Sequence, residues 1–147
     1  MTVIRQCTSA DFEQILVLLE HLWPDQPLDP DALRPVYSRG LASDLQHYLC
    51  AVENEKVVGF GSLTIKNNLW QAGYLAHIDE LVVSKQKRGL GIGSALLAAI
   101  IGVAKEAGCS RVELDSAFHR VQAHAFYQQQ GFENRAYLFS KSLQENP

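Results

Sequence analysis

The chain has 147 residues, 47% of them hydrophobic and 20% charged, with a formal net charge of −3. That is enough chain for one domain with a core of its own, and the composition excludes a disordered or fibrous protein. No apolar run approaches the ~20 residues of a membrane span, and an acidic chain argues against a nucleic-acid-binding domain.

The charge is unevenly spread. Up to Ser84 there are 5 Lys and Arg against 11 Asp and Glu; from Lys85 onward there are 8 against 5. This allows an anionic ligand on the C-terminal half and a cationic one facing the N-terminal half, ordinary solvated charge being the plain alternative. The opening MTVIRQCTSADFEQ lacks the basic and apolar regions of a secretory signal, so a cytoplasmic protein is expected. Cys7, Cys50 and Cys109 stand in none of the spacings that bind zinc, and they are expected to be buried free thiols with no metal.

In chain order, Thr2–Cys7 alternates apolar and polar residues and reads as a short strand. Thr8 or Ser9 can cap a helix whose Ile15, Leu16, Leu18, Leu19 and Leu22 share a broad face. WPDQPLDPDALRP, with four of the five prolines, reads as a shaped loop with at most a short helix after Asp31. Tyr48–Glu53 and Lys56–Lys66 form a hairpin turning at Asn54–Glu55, and Gly73–Ser84 is the longest strand. A helix to about Lys105 buries Leu96, Leu97, Ile100, Ile101 and Ala104 and stops at Gly108. Arg111–Ser116 is a strand, His119–Gln130 a helix ended by Gly131, and Phe132–Leu143 one or two final strands. The order predicts a mixed α+β domain spanning 1–147, with helices packed on one sheet.

The stretch KQKRGLGIGSALL, Lys85–Leu97, joins a strand to a helix through glycines at 89, 91 and 93. Such a junction suits an anion, because the first amides of a helix have no partner within it and glycine backbone lets a phosphate approach. GxGxG is not the GxGxxG of a dinucleotide site, although Asp115 ends the next strand about where a ribose-binding acid would sit. No Gly-Lys-Ser/Thr is present to make a P-loop, and a tight turn whose glycines only solve a packing problem is the plain alternative.

Three pieces taken together, IDELVV at 78–83, RGLGIG at 88–93 and AHAFYQQQGF at 123–132, resemble in order the fourth strand, the R/Q-x-x-G-x-G/A turn and the A-x-x-F-Y-x-x-x-G-F helix of the GNAT family of N-acetyltransferases. Within that family R-x-x-A-H-x-F-Y, at 120–127, is similar to the aminoalkylphosphonate-type members; an asparagine more common in the family is replaced by Arg120. The resemblance implies a mostly antiparallel sheet of six to seven strands, splayed between the fourth and fifth, with about four helices. It implies acetyl-CoA as donor, its pyrophosphate on the amides of Arg88, Gly89, Leu90, Gly91, Ile92, Gly93 and Ser94. Its pantetheine arm would pair with main-chain groups around Leu81, Val82 and Val83, near Ser116 and Phe126. Glu80 would be the general base and Tyr127 the general acid. By strand alternation Asp79 is expected on the face opposite Glu80. His77 is expected to line the cleft and His124 to be a surface or supporting residue.

The same resemblance places the acceptor at the first helix, the loop after it and the last hairpin, which makes Trp23, Asp25, Tyr37 and His77 substrate-binding candidates. The acceptor implied is a small-molecule primary amine that attacks the thioester directly. A protein N-terminus or lysine, and a non-catalytic acyl-CoA-binding sensor, are the alternatives. No nucleic acid or membrane is implied, and a homodimer is among the assemblies that it does imply.

Overall fold

A computed structural model of the chain describes residues 1–144. The backbone divides into two compact units, Met1–Leu114 and the part from Asp115 onward. The first unit holds strands β1 (Val3–Gln6), β2 (Gln46–Glu53), β3 (Lys56–Asn68), β4 (Gly73–Val83) and β5 (Cys109–Leu114). Its helices are α1 (Phe12–Leu22), α2 (Pro30–Ala42) and α3 (Ile92–Glu106); the second unit holds α4 (Val121–Gln129).

The strands make one sheet in the order β1-β2-β3-β4-β5, antiparallel except for the parallel pair β4–β5. The α+β class, the mixed sheet and the four helices are those expected from sequence. The sheet has five strands among the described residues rather than six or seven, because Phe132–Leu143 forms no strand. A strand exists only where a neighbour takes up its backbone groups.

Alternate side chains of β3 serve the two faces of the sheet. Phe60 joins Phe12, Ile15, Leu18 and Val82 in a core on the α1 side. A Cβ added at Gly59 or Gly61 would instead meet Leu96 or Ile100, so the other face carries α3, whose Leu96, Leu97 and Ile100 are fully buried. Ile101, expected in that core, is only half-buried, at the margin of the helix's inner stripe.

The proline-rich stretch corrects the expectation of a loop, since α2 runs for 13 residues through Pro35. Asp29 caps it, its Oδ1 accepting from Asp31 N–H (3.0 Å), and Pro30 occupies the first turn, where no donor is needed. Pro35 costs one internal bond, but tertiary packing offsets the loss. Tyr37 is buried with its hydroxyl donating to Thr8 carbonyl (2.6 Å), and Arg34 lies 4.5 Å over the Phe12 ring. The β2–β3 turn is as predicted, with Asn54 and Glu55 at φ 51° and 65°, as a two-residue hairpin turn requires.

β5 ends at Leu114, opposite Ile78, whereas β4 continues to Val83. From Asp79 on, no strand among the described residues pairs with the β5-side edge of β4.

Candidate active site

The glycine turn leads from the open part of β4 into α3. Gly89 and Gly91 sit at φ 79° and 84°, and a Cβ on either would meet nothing within 4 Å. They are therefore required by conformation and not by packing, which removes the packing explanation of the turn. The first helical bond of α3 runs from Ala95 N–H to Gly91 carbonyl (3.1 Å), so the amides of Ile92 and Gly93 come before it. Left-handed glycines followed by a helix N-terminus turn successive N–H groups into one concavity, the geometry that suits a phosphate.

The basic residues beside the turn divide in role. Lys87 is committed to Glu53 of β2 (2.7 Å), and Arg88 Nε donates to Val83 carbonyl (3.2 Å). Lys85 is exposed.

The backbone of β4 offers a second binding element. Ser84 N–H donates to Val58 carbonyl (2.8 Å), and alternate residues of an antiparallel strand aim their backbone groups at the same neighbour. Val82 therefore faces β3, while Leu81 and Val83 turn their main chain to the open edge. Such an edge can accept an extended chain of amides as an added strand, which is the form of a pantetheine arm. Val82, grouped with these two from sequence, is a core residue 5% exposed. Ser116, expected on the last strand of this region, lies two residues beyond β5, in the second unit.

The acidic group on β4 departs from simple alternation. Ser62 pairs with Glu80 and Leu63 with Ile78, so Asp79 is an extra residue on β4 with no counterpart on β3. This β-bulge re-aims Asp79. Its carboxylate accepts from Thr64 Oγ1 (2.6 Å) and pairs with His77 Nδ1 (2.9 Å), while Glu80 accepts from Ser62 Oγ. Ser62 and Thr64, two apart on β3, share a face. Asp79 and Glu80 are thus on one face, contrary to the expectation from alternation, and His77 joins them there.

Burial pushes the Glu80 carboxyl above the ordinary range; the Ser62 hydrogen bond pulls it down, the Asp79 charge up and His77 down. Tyr48, opposite Ser62 in the β2–β3 register, is raised first by burial and then by the Glu80 and Asp79 charges. Its ring stacks on Tyr37 at 5.4 Å. A half-buried carboxyl between a hydroxyl donor and a second carboxylate can hold or release a proton nearer neutrality than a solvated one.

Sequence reading overlooked Ser62, Thr64 and Tyr48. The available signal was two hydroxyls at alternate positions inside the apolar run VVGFGSLTI, since a buried hydroxyl needs a partner.

In the second unit, α4 fixes Tyr127. Phe132 N–H donates to Tyr127 carbonyl (3.0 Å) and Gly131 N–H to Gln128 carbonyl (3.1 Å), with Gly131 at φ 91°. This is a Schellman cap, and its usual apolar contact is the Tyr127–Phe132 ring pair at 5.7 Å. The G-F of the motif therefore holds the tyrosine in place. Phe126 packs edge-on against the same ring at 5.4 Å. Burial raises the Tyr127 hydroxyl above its ordinary value, with Arg120 opposing. His124 Nε2 lies 2.9 Å from Ala117 carbonyl and ties the preceding turn to α4, a supporting role of the kind expected.

The remaining acceptor candidates separate. Trp23 and Asp25 line an open hollow of about 560 Å³ with Leu16, Glu20, His21 and Leu28, and no β4 residue lines it. Tyr37, expected as a flat wall for substrate, belongs to the core beneath α2, because its hydroxyl is committed to Thr8 carbonyl. Cys7 and Cys50 are buried and Cys109 half-buried, all as free thiols. The Cys7 thiol is pushed up by its hydrogen bond with Cys50 and by burial, which suits a structural thiol and not a nucleophile.

Comparison with known proteins accords with this geometry. Residues 12–132 match the acetyltransferase (GNAT) family model. The aminoalkylphosphonate N-acetyltransferase of Salmonella typhimurium is 34% identical, over 95% of this chain and 90% of its own. The aminoglycoside N(6')-acetyltransferase type 1 of Stenotrophomonas maltophilia is 33% identical, over 88% and 85%. Among solved structures, a transcriptional regulator from Bacillus halodurans superposes with a TM-score of 0.86 at 26% identity, over 97% of this chain and all of its own. Since one fold carries differing descriptions, the activity rests on the family match and the motifs: the chain belongs to the GNAT family and is an acetyl-CoA-dependent N-acetyltransferase.

Proposed function

We propose that the chain moves an acetyl group from acetyl-CoA to the primary amine of a small molecule. The observation that carries this reading is the run from the open edge of β4 at Leu81 and Val83 into the left-handed glycines before α3. These are a strand-like seat for pantetheine and an amide cradle for pyrophosphate, in the order CoA needs them. Bound acetyl-CoA supplies the acetyl group as an activated thioester. The family match from 12 to 132 supports reading 1–147 as one N-acetyltransferase domain.

The chain's own residues meet two proton demands. An alkyl amine with a pKa near ~10.4 arrives as ammonium and must lose a proton before it can attack. In this reading Glu80 accepts that proton, directly or through water. Its raised pKa makes it a better acceptor than a solvated glutamate, and Ser62 keeps it oriented. Tyr127, kept protonated by burial, gives a proton to the departing thiolate. Asp79 beside Glu80 favours a cationic acceptor, and the named substrates of the two enzyme relatives, an aminoalkylphosphonate and an aminoglycoside, support a small-molecule amine.

No helix among the described residues is long and apolar enough to cross a membrane. The free thiols fit a reducing, cytoplasmic compartment. The protein works on its amine without nucleic acid, and two copies associate as a homodimer.

The test is CoA release measured across a panel of aminophosphonates, aminoglycosides, amino sugars, polyamines and lysine peptides. Turnover of one small-molecule class is expected. Turnover of peptides alone would move the acceptor to protein, and a flat panel beside tight acetyl-CoA binding would leave a sensor.

A further inference from the structure

One face of the sheet carries a polar row that runs across β2, β3 and β4. Tyr48 pairs with Ser62, and Ser62 with Glu80; residues directly opposite one another share a face. Beside this row Gln46 pairs with Thr64, whose hydroxyl donates to Asp79. The β4 end of the face is therefore carboxylate.

The β2 end carries the opposite charge. The last turn of α2 lies against it, since a Cβ added at Gly40 would fall 1.9 Å from the Tyr48 hydroxyl, and Arg39 is the residue before. The charges acting on that hydroxyl include Glu80 and Asp79 and, opposing them, Arg39. Three arginines precede Lys85. Arg5 is held by Asp11 and Arg34 by Glu13, whereas Arg39 is exposed and no ion pair among the described residues holds it. The bond that Tyr48 donates to Gln46 Oε1 is long, 3.3 Å, so the hydroxyl can turn to a stronger, charged acceptor.

We propose that Arg39 and the Tyr48 hydroxyl hold an anionic group of the acceptor while Asp79 and Glu80 hold its ammonium. The substrate class is then an amine with a phosphonate, phosphate or carboxylate two or three carbons from the nitrogen. This deepens the small-molecule reading above and rests on it. β2 and β4 are two strand steps apart, about 10 Å, a gap that a short zwitterion can bridge between side chains reaching in from both ends. A guanidinium presents a planar fork to two oxygens of such a group. Held at both ends, the molecule turns its nitrogen to Glu80; a plain alkylamine, held at one, is positioned less well.

The test is the kinetics of 3-aminopropylphosphonate, 4-aminobutyrate and butylamine with acetyl-CoA, for the parent and for Arg39→Gln and Arg39→Lys. The parent is expected to turn over one of the anionic amines with kcat/KM about ten- to a hundredfold above butylamine, and whichever leads assigns the anion as phosphonate or carboxylate. Arg39→Gln should bring that ratio close to unity through KM, and Arg39→Lys should restore part of it. A parent that takes butylamine as readily, or that acetylates polyamines and aminoglycosides but none of the three, would overturn the anion site and leave the small-molecule reading standing. A preference that survives Arg39→Gln would overturn the role of Arg39, as would an equal loss on all three amines, the mark of a structural effect. Turnover of lysine peptides alone would overturn the small-molecule reading and the proposal with it.

Discussion

Asp79 and Glu80 are neighbours in sequence, yet their carboxylates lie on one face of the sheet. Thr64 and His77 hold the first and Ser62 the second. The cause is one extra residue on β4 between the Ile78 and Glu80 pairings. The Asp79 charge is one of the causes that raise the Glu80 carboxyl.

A signed set of pH shifts follows. If Glu80 is the base, Glu80→Gln lowers kcat by about 10²–10⁴-fold. Asp79→Asn removes a like charge that raises Glu80, so the acidic limb of the kcat/KM profile moves to lower pH. Ser62→Ala removes the hydrogen bond that favours the ionised form, so the limb moves to higher pH. Profiles of the three variants against one amine decide it, and limbs that move together would detach Glu80 from the proton step.

Tyr127→Phe tests the other proton. The substitution keeps the ring that packs on Phe126 and Phe132 and removes only the hydroxyl. A general acid is worth about 10²-fold or more, so kcat is expected to fall by that order while acetyl-CoA affinity, read by calorimetry, stays within about twofold. Loss of affinity without loss of turnover would make the tyrosine a binding residue.

Much of this was legible in the sequence, because local rules and the fold agree there. The glycines at 89 and 91 announce left-handed backbone, and Gly131-Phe132 announces the cap that holds Tyr127. What could not be read is what depends on the partner strand. The bulge at Asp79 is set by pairing with β3, and no pattern inside IDELVV reveals it. Pro35 argued against a helix that Tyr37 and Arg34 hold by tertiary contacts. Phe132–Leu143 reads as one or two strands from sequence, and among the described residues it forms none.

Gly91→Ala places a Cβ at φ 84°, a conformation that costs an L-residue about 1–2 kcal/mol. Nothing obstructs the methyl itself, so the strain falls on the turn. Acetyl-CoA binding should weaken by about 5–30-fold with a smaller change in melting temperature. Unchanged affinity would take the pyrophosphate away from these amides.

Gly40→Ala pits two effects against each other. Alanine improves helix propensity in α2 by about 1 kcal/mol. Its Cβ, however, would lie 1.9 Å from the Tyr48 hydroxyl and 2.2 Å from the ring. That ring is wedged between Tyr37 and Phe60 and cannot swing aside freely. Overpacking of this kind costs typically 1–3 kcal/mol, so net destabilisation by urea unfolding is expected, with turnover reduced because Tyr48 sits opposite Ser62.

Arg5 and Asp11 make stability depend on acid. The Arg5 guanidinium grips both Asp11 oxygens (2.8 and 2.9 Å), and Thr8 N–H donates to the same carboxylate (2.7 Å). Arg5 above all holds the Asp11 carboxyl down to about 2, from 3.8. A depressed acid contributes stability that is present above its unfolded pKa and lost as pH falls through the folded one, here between about 4 and 2. Lowering the carboxyl from 3.8 to about 2 corresponds to roughly 2.4 kcal/mol. Arg5 is 41% exposed, and solvent screening reduces the expectation to about 1–2 kcal/mol. Asp11→Asn keeps an acceptor for Thr8 but removes the charge. It should therefore unfold at lower urea than the parent at pH 7, with the gap closing as the pH approaches 2; a constant gap would assign the loss to packing and not to the ion pair.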